Sequence, residues 1–150
     1  MLDPHPADAR PLGIAVIHQE LEVLPELSVM ENVLLGQLPT NRVGVVDWRE
    51  AVRQAKTVLE SMGLDIPVRT RVATLSLAER RLIVIARALA VQARVLVMDE
   101  PTAALSETES ERLAELIKRM RGSGTSIVYV SHRVSEVIDL SDRITILRDG

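Results

Sequence analysis

No stretch of this chain constrains its fold more than Val95-Leu96-Val97-Met98-Asp99-Glu100-Pro101-Thr102. A short apolar run of this kind reads as a buried strand, and it ends in two adjacent carboxylates. Like charges a few ångströms apart raise each other's pKa, so two acids at the mouth of a buried strand call for a positive partner. A magnesium ion with a nucleotide is the usual one. The first carboxylate then holds the metal, directly or through water, and the second orients or deprotonates an attacking water. Read alone, the stretch also fits a strand that merely leaves the core through an acidic turn.

The 150 residues are 47% apolar and 26% charged, the balance of one packed domain or of a piece of a larger one. A net charge of -3 gives no general basic field, and the aromatics are Trp48 and Tyr129 alone, so nucleic acid is not an expected partner. The absence of cysteine excludes disulfides and thiolate metal sites. No run approaches the ~18 apolar residues of a membrane span.

Four start signals place the helices. Ser28 with Glu31, Asp47 with Glu50, Ser76 with Glu79 and Ser106 with Glu109 each put an N-cap three residues before an acid. The first opens a short helix ending near Gly36. The second opens a helix with Val52, Ala55, Leu59 and Met62 on one face, stopped at Gly63. The third carries Leu82, Ile85, Ala86 and Leu89 inward. The fourth, over 107–121, buries Leu113, Leu116, Ile117 and Met120 and ends at Gly122 and Gly124. Buried strands are expected at 14–17, 95–99 and 127–130, a short helix near 133–139 and a last strand at 143–147. Trp48 is expected to pack at its helix start, and Arg69 and Arg71 to lie on an exposed loop. His5 and His18 read as solvated bystanders. Strands alternating with helices imply an α/β fold with a mainly parallel sheet, into which a helical region is inserted.

Polar residues then fall at strand ends: Gln19 after the first, Asp99-Glu100 after the second, Ser131-His132 after the third. Open α/β sheets bind ligands at the carboxyl ends of their strands.

On these residues the chain resembles the nucleotide-binding subunit of an ATP-binding-cassette (ABC) transporter. Val95 to Glu100 resembles its Walker B strand and Leu75-Ser76-Leu77-Ala78-Glu79 its signature. Ala103-Ala104-Leu105-Ser106 resembles its D-loop, His132 its switch histidine and Gln19 its Q-loop glutamine. Gly13 to Leu21, Ser28 to Val33 and Val128 to Arg133 are similar to the monosaccharide importers, whose ATPases are tandem cassettes, and the match is to the first. The resemblance implies a P-loop NTPase-like cassette with a lead-in, strand and Q-loop over 1–23, a helical subdomain over 24–92 and an α/β core over 93–150.

It also implies roles. Asp99 binds Mg²⁺ through water, and Glu100 polarises the attacking water. Gln19 joins the metal–water network and links it to the helical part that touches the membrane subunit. His132 hydrogen-bonds the γ-phosphate of ATP. Ser76, with the amides of Leu77 and Ala78, meets the γ-phosphate held by an opposite cassette, where free N–H groups and the helix dipole suit an anion. Ala104, Leu105 and Ser106 face the second site. Transmembrane permease subunits and a second cassette are the implied partners, and the cytoplasmic face of a bacterial plasma membrane is the implied location.

The G-x-x-x-x-G-K-[ST] loop that cradles phosphates in this family does not occur, and no Gly-Lys pair is present. The family pattern puts that loop upstream of Met1 and a second cassette beyond Gly150, so an incomplete cassette lacking the P-loop strand is expected. Weak ATP binding, little activity in isolation and exposed sheet edges would follow. The signature carries Leu77 and Ala78 where glycines are typical and Glu79 where glutamine is common, and Ser106 replaces an aspartate frequent in the D-loop. The alternative is a non-hydrolysing remnant that docks on a transporter or partner cassette. Chromosome-organising ATPases share the Walker B and signature pair, but they separate Gln19 and Ser76 by long coiled coils absent here.

Overall fold

Strand pairing organises the structure, a computed structural model that describes residues 12–19, 22–103 and 105–148. Three parallel strands, β1 (Ile14–Ile17), β2 (Val95–Asp99) and β3 (Ser126–Val130), lie in the order β1-β2-β3. The register sets Ile17 beside Met98 and Met98 beside Tyr129, so the three carboxyl ends are level. Side chains alternate across a strand. One face, carrying Ala15, Ile17, Leu96, Met98, Ile127 and Tyr129, joins the hydrophobic core.

Helix α1 (Val29–Val33), helix α2 (Trp48–Ser61) and helix α3 (Leu77–Ala90) fill the connection from β1 to β2 and pack on one another, with α3 also against β1. Helix α4 (Glu107–Gly122) connects β2 to β3 and packs on β3 and on helix α5 (Val134–Leu140). The capping boxes at Ser28, Ser76 and Ser106 form with both bonds of each pair. At α2 only half of the pattern forms: Asp47 caps Glu50 N–H, while the Glu50 carboxylate turns to Arg53 and Gln54. A turn closed by Thr70 N–H on the Pro67 carbonyl and a 3-10 turn at Val72–Thr74 lie beside the start of α1, where Val29 N–H bonds the Thr70 carbonyl and Val72 N–H bonds the Leu27 carbonyl.

Several expectations need correction. Strands β1 and β3 are half-buried rather than buried, with Val16 at 45%, Val128 at 50% and Val130 at 48% exposure. Their second face meets no layer among the described residues. No strand forms at 143–147. A strand exists only by exchanging hydrogen bonds, and a groove of about 910 Å³ separates β3 from Ile144, Thr145 and Leu147. Helix α3 buries Ile83, Val84, Ile85, Ala86 and Ala88, whereas Leu82 and Leu89 are only half-buried. It lies between α1, α2 and β1 and needs apolar residues on more than one side. On α2, Ala51 takes the fully buried place expected of Val52. Trp48 begins α2 but is 51% exposed. The inward face of α4, the exposure of Arg69 and Arg71 and that of His18 are as the sequence reads. His5 and the lead-in over 1–11 lie outside the described residues.

Candidate functional site at the strand ends

Level strand ends bring the three polar features together. Gln19 leaves β1 two residues past Ile17, Asp99 and Glu100 close β2, and Ser131 and His132 follow β3. His132 Nδ1 stands 2.9 Å from Glu100 Oε1. A carboxylate only accepts, so Nδ1 carries the proton of this bond. The pair is accessible, with the Glu100 side chain 29% and His132 72% exposed.

Glu100 adopts the left-handed region at φ 45°, which glycine favours and which costs a residue with a side chain roughly 1–2 kcal/mol. Neighbouring bonds hold it there. Its N–H donates to Val130 at 2.9 Å, and its carbonyl accepts from Ala103 N–H at 3.0 Å. Its carbonyl also accepts from Arg81 Nη1 at 2.9 Å. The turn aims the carboxylate away from the strand and toward His132. The side chains of Asp99 and Gln19 make no hydrogen bond or ion pair with the described residues. Two free oxygen donors suit Mg²⁺, which takes one or two carboxylates and completes its octahedron with water and phosphate oxygens. Among the described residues no three His, Asp or Glu side chains converge on a metal, so such an ion would depend on those outside oxygens.

Behind the turn lies a second cluster. Glu136 Oε2 accepts from Thr102 Oγ1 at 2.7 Å and from Tyr129 OH at 2.9 Å, while Oε1 accepts from Arg133 Nη1 at 2.9 Å. Burial would push the Glu136 carboxyl up, but the bonds from Thr102, Arg133 and Tyr129 outweigh it and hold it below the ordinary value. Burial, reinforced by Glu136, pushes the Tyr129 hydroxyl up to about 12. This cluster ties the turn after β2 to the helix after His132.

Ser76 stands elsewhere. It caps α3, and with Ala78 it lines a cavity of about 270 Å³ shared with Arg81, Leu105 and Glu109. Leu77 is 45% exposed beside it. Ser106 caps α4. Ala104 lies outside the described residues.

Residues 2–103 match the family model described as ABC transporter. This chain belongs to the ABC transporter family. It is 49% identical over 143 residues to the ribose import ATP-binding protein RbsA of Chromobacterium violaceum, covering 95% of this chain and 28% of that protein. It is 47% identical to the arabinose import ATP-binding protein AraG of Rhizobium meliloti, covering 95% of this chain and 28% of that protein. The chain therefore spans little more than a quarter of the length of these relatives. The fold is that of a nucleotide-free ATP-binding cassette from an ABC transporter, with a TM-score of 0.76 at 24% identity over 93% of this chain and 59% of that one.

Two contributors escape a reading of the sequence. Arg81 is 5% exposed and reaches the strand ends from α3, but its neighbour Arg80 offers the same chemistry on the same helix, so composition does not say which one turns inward. The Glu136 cluster joins residues 34 positions apart in sequence, from Thr102 to Glu136, and leaves no local signal.

Proposed function

We propose that this chain forms part of an ATP-hydrolysing subunit of a sugar importer, like the ribose and arabinose import ATP-binding proteins it is similar to. The observation that carries this reading is the Glu100–His132 contact at the level ends of three parallel strands, beside an unbonded Asp99. In it, Asp99 and Gln19 hold the oxygen-coordinated Mg²⁺, Glu100 draws a proton from the attacking water, and His132, released from Glu100 when nucleotide binds, donates a ring N–H to the terminal phosphate. Bound Mg²⁺–ATP supplies the phosphoryl group, and its metal neutralises the charge that develops on transfer. Ser76 and the amides of Leu77 and Ala78 serve the nucleotide of a second cassette. Ala104, Leu105 and Ser106 border that partner, and the helical subdomain over 24–92 meets permease subunits at the cytoplasmic face of the membrane.

The 150 residues contain no Gly-Lys phosphate loop, so the chain by itself holds nucleotide weakly and turns over little. Calorimetric titration of Mg²⁺–ATP into this chain tests the reading. A dissociation constant on the order of millimolar, weakened further by Asp99→Asn, is expected. Micromolar affinity indifferent to Asp99→Asn would overturn it.

A further inference from the structure

Arg81 is a buried cation with no carboxylate partner among the described residues. Its described acceptors are main-chain carbonyls: Glu100 at 2.9 Å, Pro101, and Gln19 at 3.2 Å. Removing a guanidinium from water without a counter-ion is costly, and its pKa is lowered by that burial, so the three carbonyls must compensate. They come from the ends of two adjacent strands, one bearing the Q-loop glutamine and one the Walker B glutamate.

We propose that Arg81 is a positioning residue that couples the Gln19 loop to the placement of Glu100. The left-handed turn at Glu100 points its carbonyl at Arg81, and the next carbonyl, on buried Pro101, has Arg81 as its described donor. A planar fork can serve these acceptors together, whereas a lysine ammonium cannot match their spread. The arm to Gln19 is the longest of the three and is the first to yield when the loop moves. Nε is buried without a described partner, which adds to the cost that the three carbonyls offset.

The same helix grips the far end of the loop. Arg87 Nε donates to the Asn32 carbonyl at 2.9 Å. The Asn32 side chain in turn accepts from Leu24 N–H at 2.8 Å and donates to the Leu24 carbonyl at 2.9 Å. Gln19 and Leu24 are thus both tied to α3, and α3 is tied to the Glu100 turn. A shift of the loop reaches Glu100 through one side chain. Its use in hydrolysis rests on the function proposed above; the coupling itself does not.

Amide exchange on the chain, resolved by NMR, tests the coupling without nucleotide. Glu100 and Ala103 amides report the turn, and the amides of α2 report the fold. Arg81→Met should speed exchange at Glu100 and Ala103 by roughly tenfold or more while α2 stays within about twofold, and Arg81→Lys should fall between. Gln19→Gly, which loosens the loop, should speed Ala103 several-fold in the parent and add almost nothing in Arg81→Met, because the link is already cut. Additive effects of Gln19→Gly and Arg81→Met, or an unchanged Ala103 in Arg81→Met, would overturn the coupling. If Arg81→Met loosens α2 as well, the same cycle is run in Arg81→Lys, where additivity overturns and non-additivity supports. Coupling found in a chain whose strand ends ignore Mg²⁺–ATP would uphold this inference and sink the proposed function instead.

Discussion

From α1 to α3, apolar side chains meet each other, and Val29, Val33, Ala51, Ala55, Ile83 and Ile85 are all at 0% exposure. In the sheet, Ile17, Leu96 and Met98 are equally enclosed on one face, but Val16, Val128 and Val130 on the other stand 45% to 50% exposed. A helix can satisfy its single stripe against neighbouring helices. A sheet has two faces and needs a layer on each. The helices therefore enclose the stripes they turn toward one another, although Trp48 and Leu77 stay exposed, while the sheet is enclosed only on the side that α3 and α4 cover. Polar groups divide in the same way. Asn32, at 0% exposure, spends its side-chain amide on Leu24, Ser28 and Arg87, whereas Asp99 and the Gln19 side chain at the strand ends are left for something else.

The sharpest way to test this contrast is to cut into the helical core. Ile83→Ala should lower the unfolding free energy by about 2–5 kcal/mol in a denaturant titration. A cost below ~1 kcal/mol would mean that the helices are looser than their burial implies. Next in size is Asn32→Leu. It removes the bonds that Leu24 N–H, the Ser28 carbonyl and Arg87 make to a fully buried amide, and a loss of roughly 1–3 kcal/mol is expected from the same titration.

The Tyr129 cluster sits where the two regions meet the strand ends, and alkali probes it. The native hydroxyl titrates at about 12 against an ordinary 10, so the unfolded chain gives up its proton first. Stability present in full below pH 10 is lost as pH rises from there through 12. Tyr129 is the only tyrosine, so tyrosinate absorbance reads the native pKa directly. Ionisation at the ordinary value in the folded chain would dissolve the cluster. The smallest effect belongs to the open face: Val128→Thr should change stability by no more than about 0.5 kcal/mol. A loss as large as that of Ile83→Ala would show this face covered in solution and would erase the contrast.

What could be seen in the sequence was what short-range chemistry decides. Ser28, Ser76 and Ser106 announced their helices because a capping box closes within three residues. The α4 stripe of Leu113, Leu116, Ile117 and Met120 announced its face because one neighbouring layer decides it. Asp99-Glu100 stood out because acids ending an apolar run are rare for a physical reason. That Glu100 and His132 both lie at strand ends followed once three parallel strands were expected, but the bond between them did not. Long-range choices were hidden. Nothing local distinguishes Arg81 from Arg80, or sends Tyr129 and Thr102 to Glu136. The apolar residues at 144, 146 and 147 looked like a strand, yet a strand needs a partner that sequence pattern alone does not supply. Val128 and Val130 looked buried because an apolar run does not say how many layers will cover it.

The central claim is that the strand ends form a Mg²⁺–nucleotide site, and an NMR titration of the chain with Mg²⁺–ATP addresses it most directly. The account predicts shifts that saturate on the order of millimolar and appear together at Gln19, Glu100, Ser131 and the His132 ring, with α2 unmoved and the shifts weakened by Asp99→Asn. Shifts confined to the helical region, or strand-end shifts unaffected by Asp99→Asn, would contradict it.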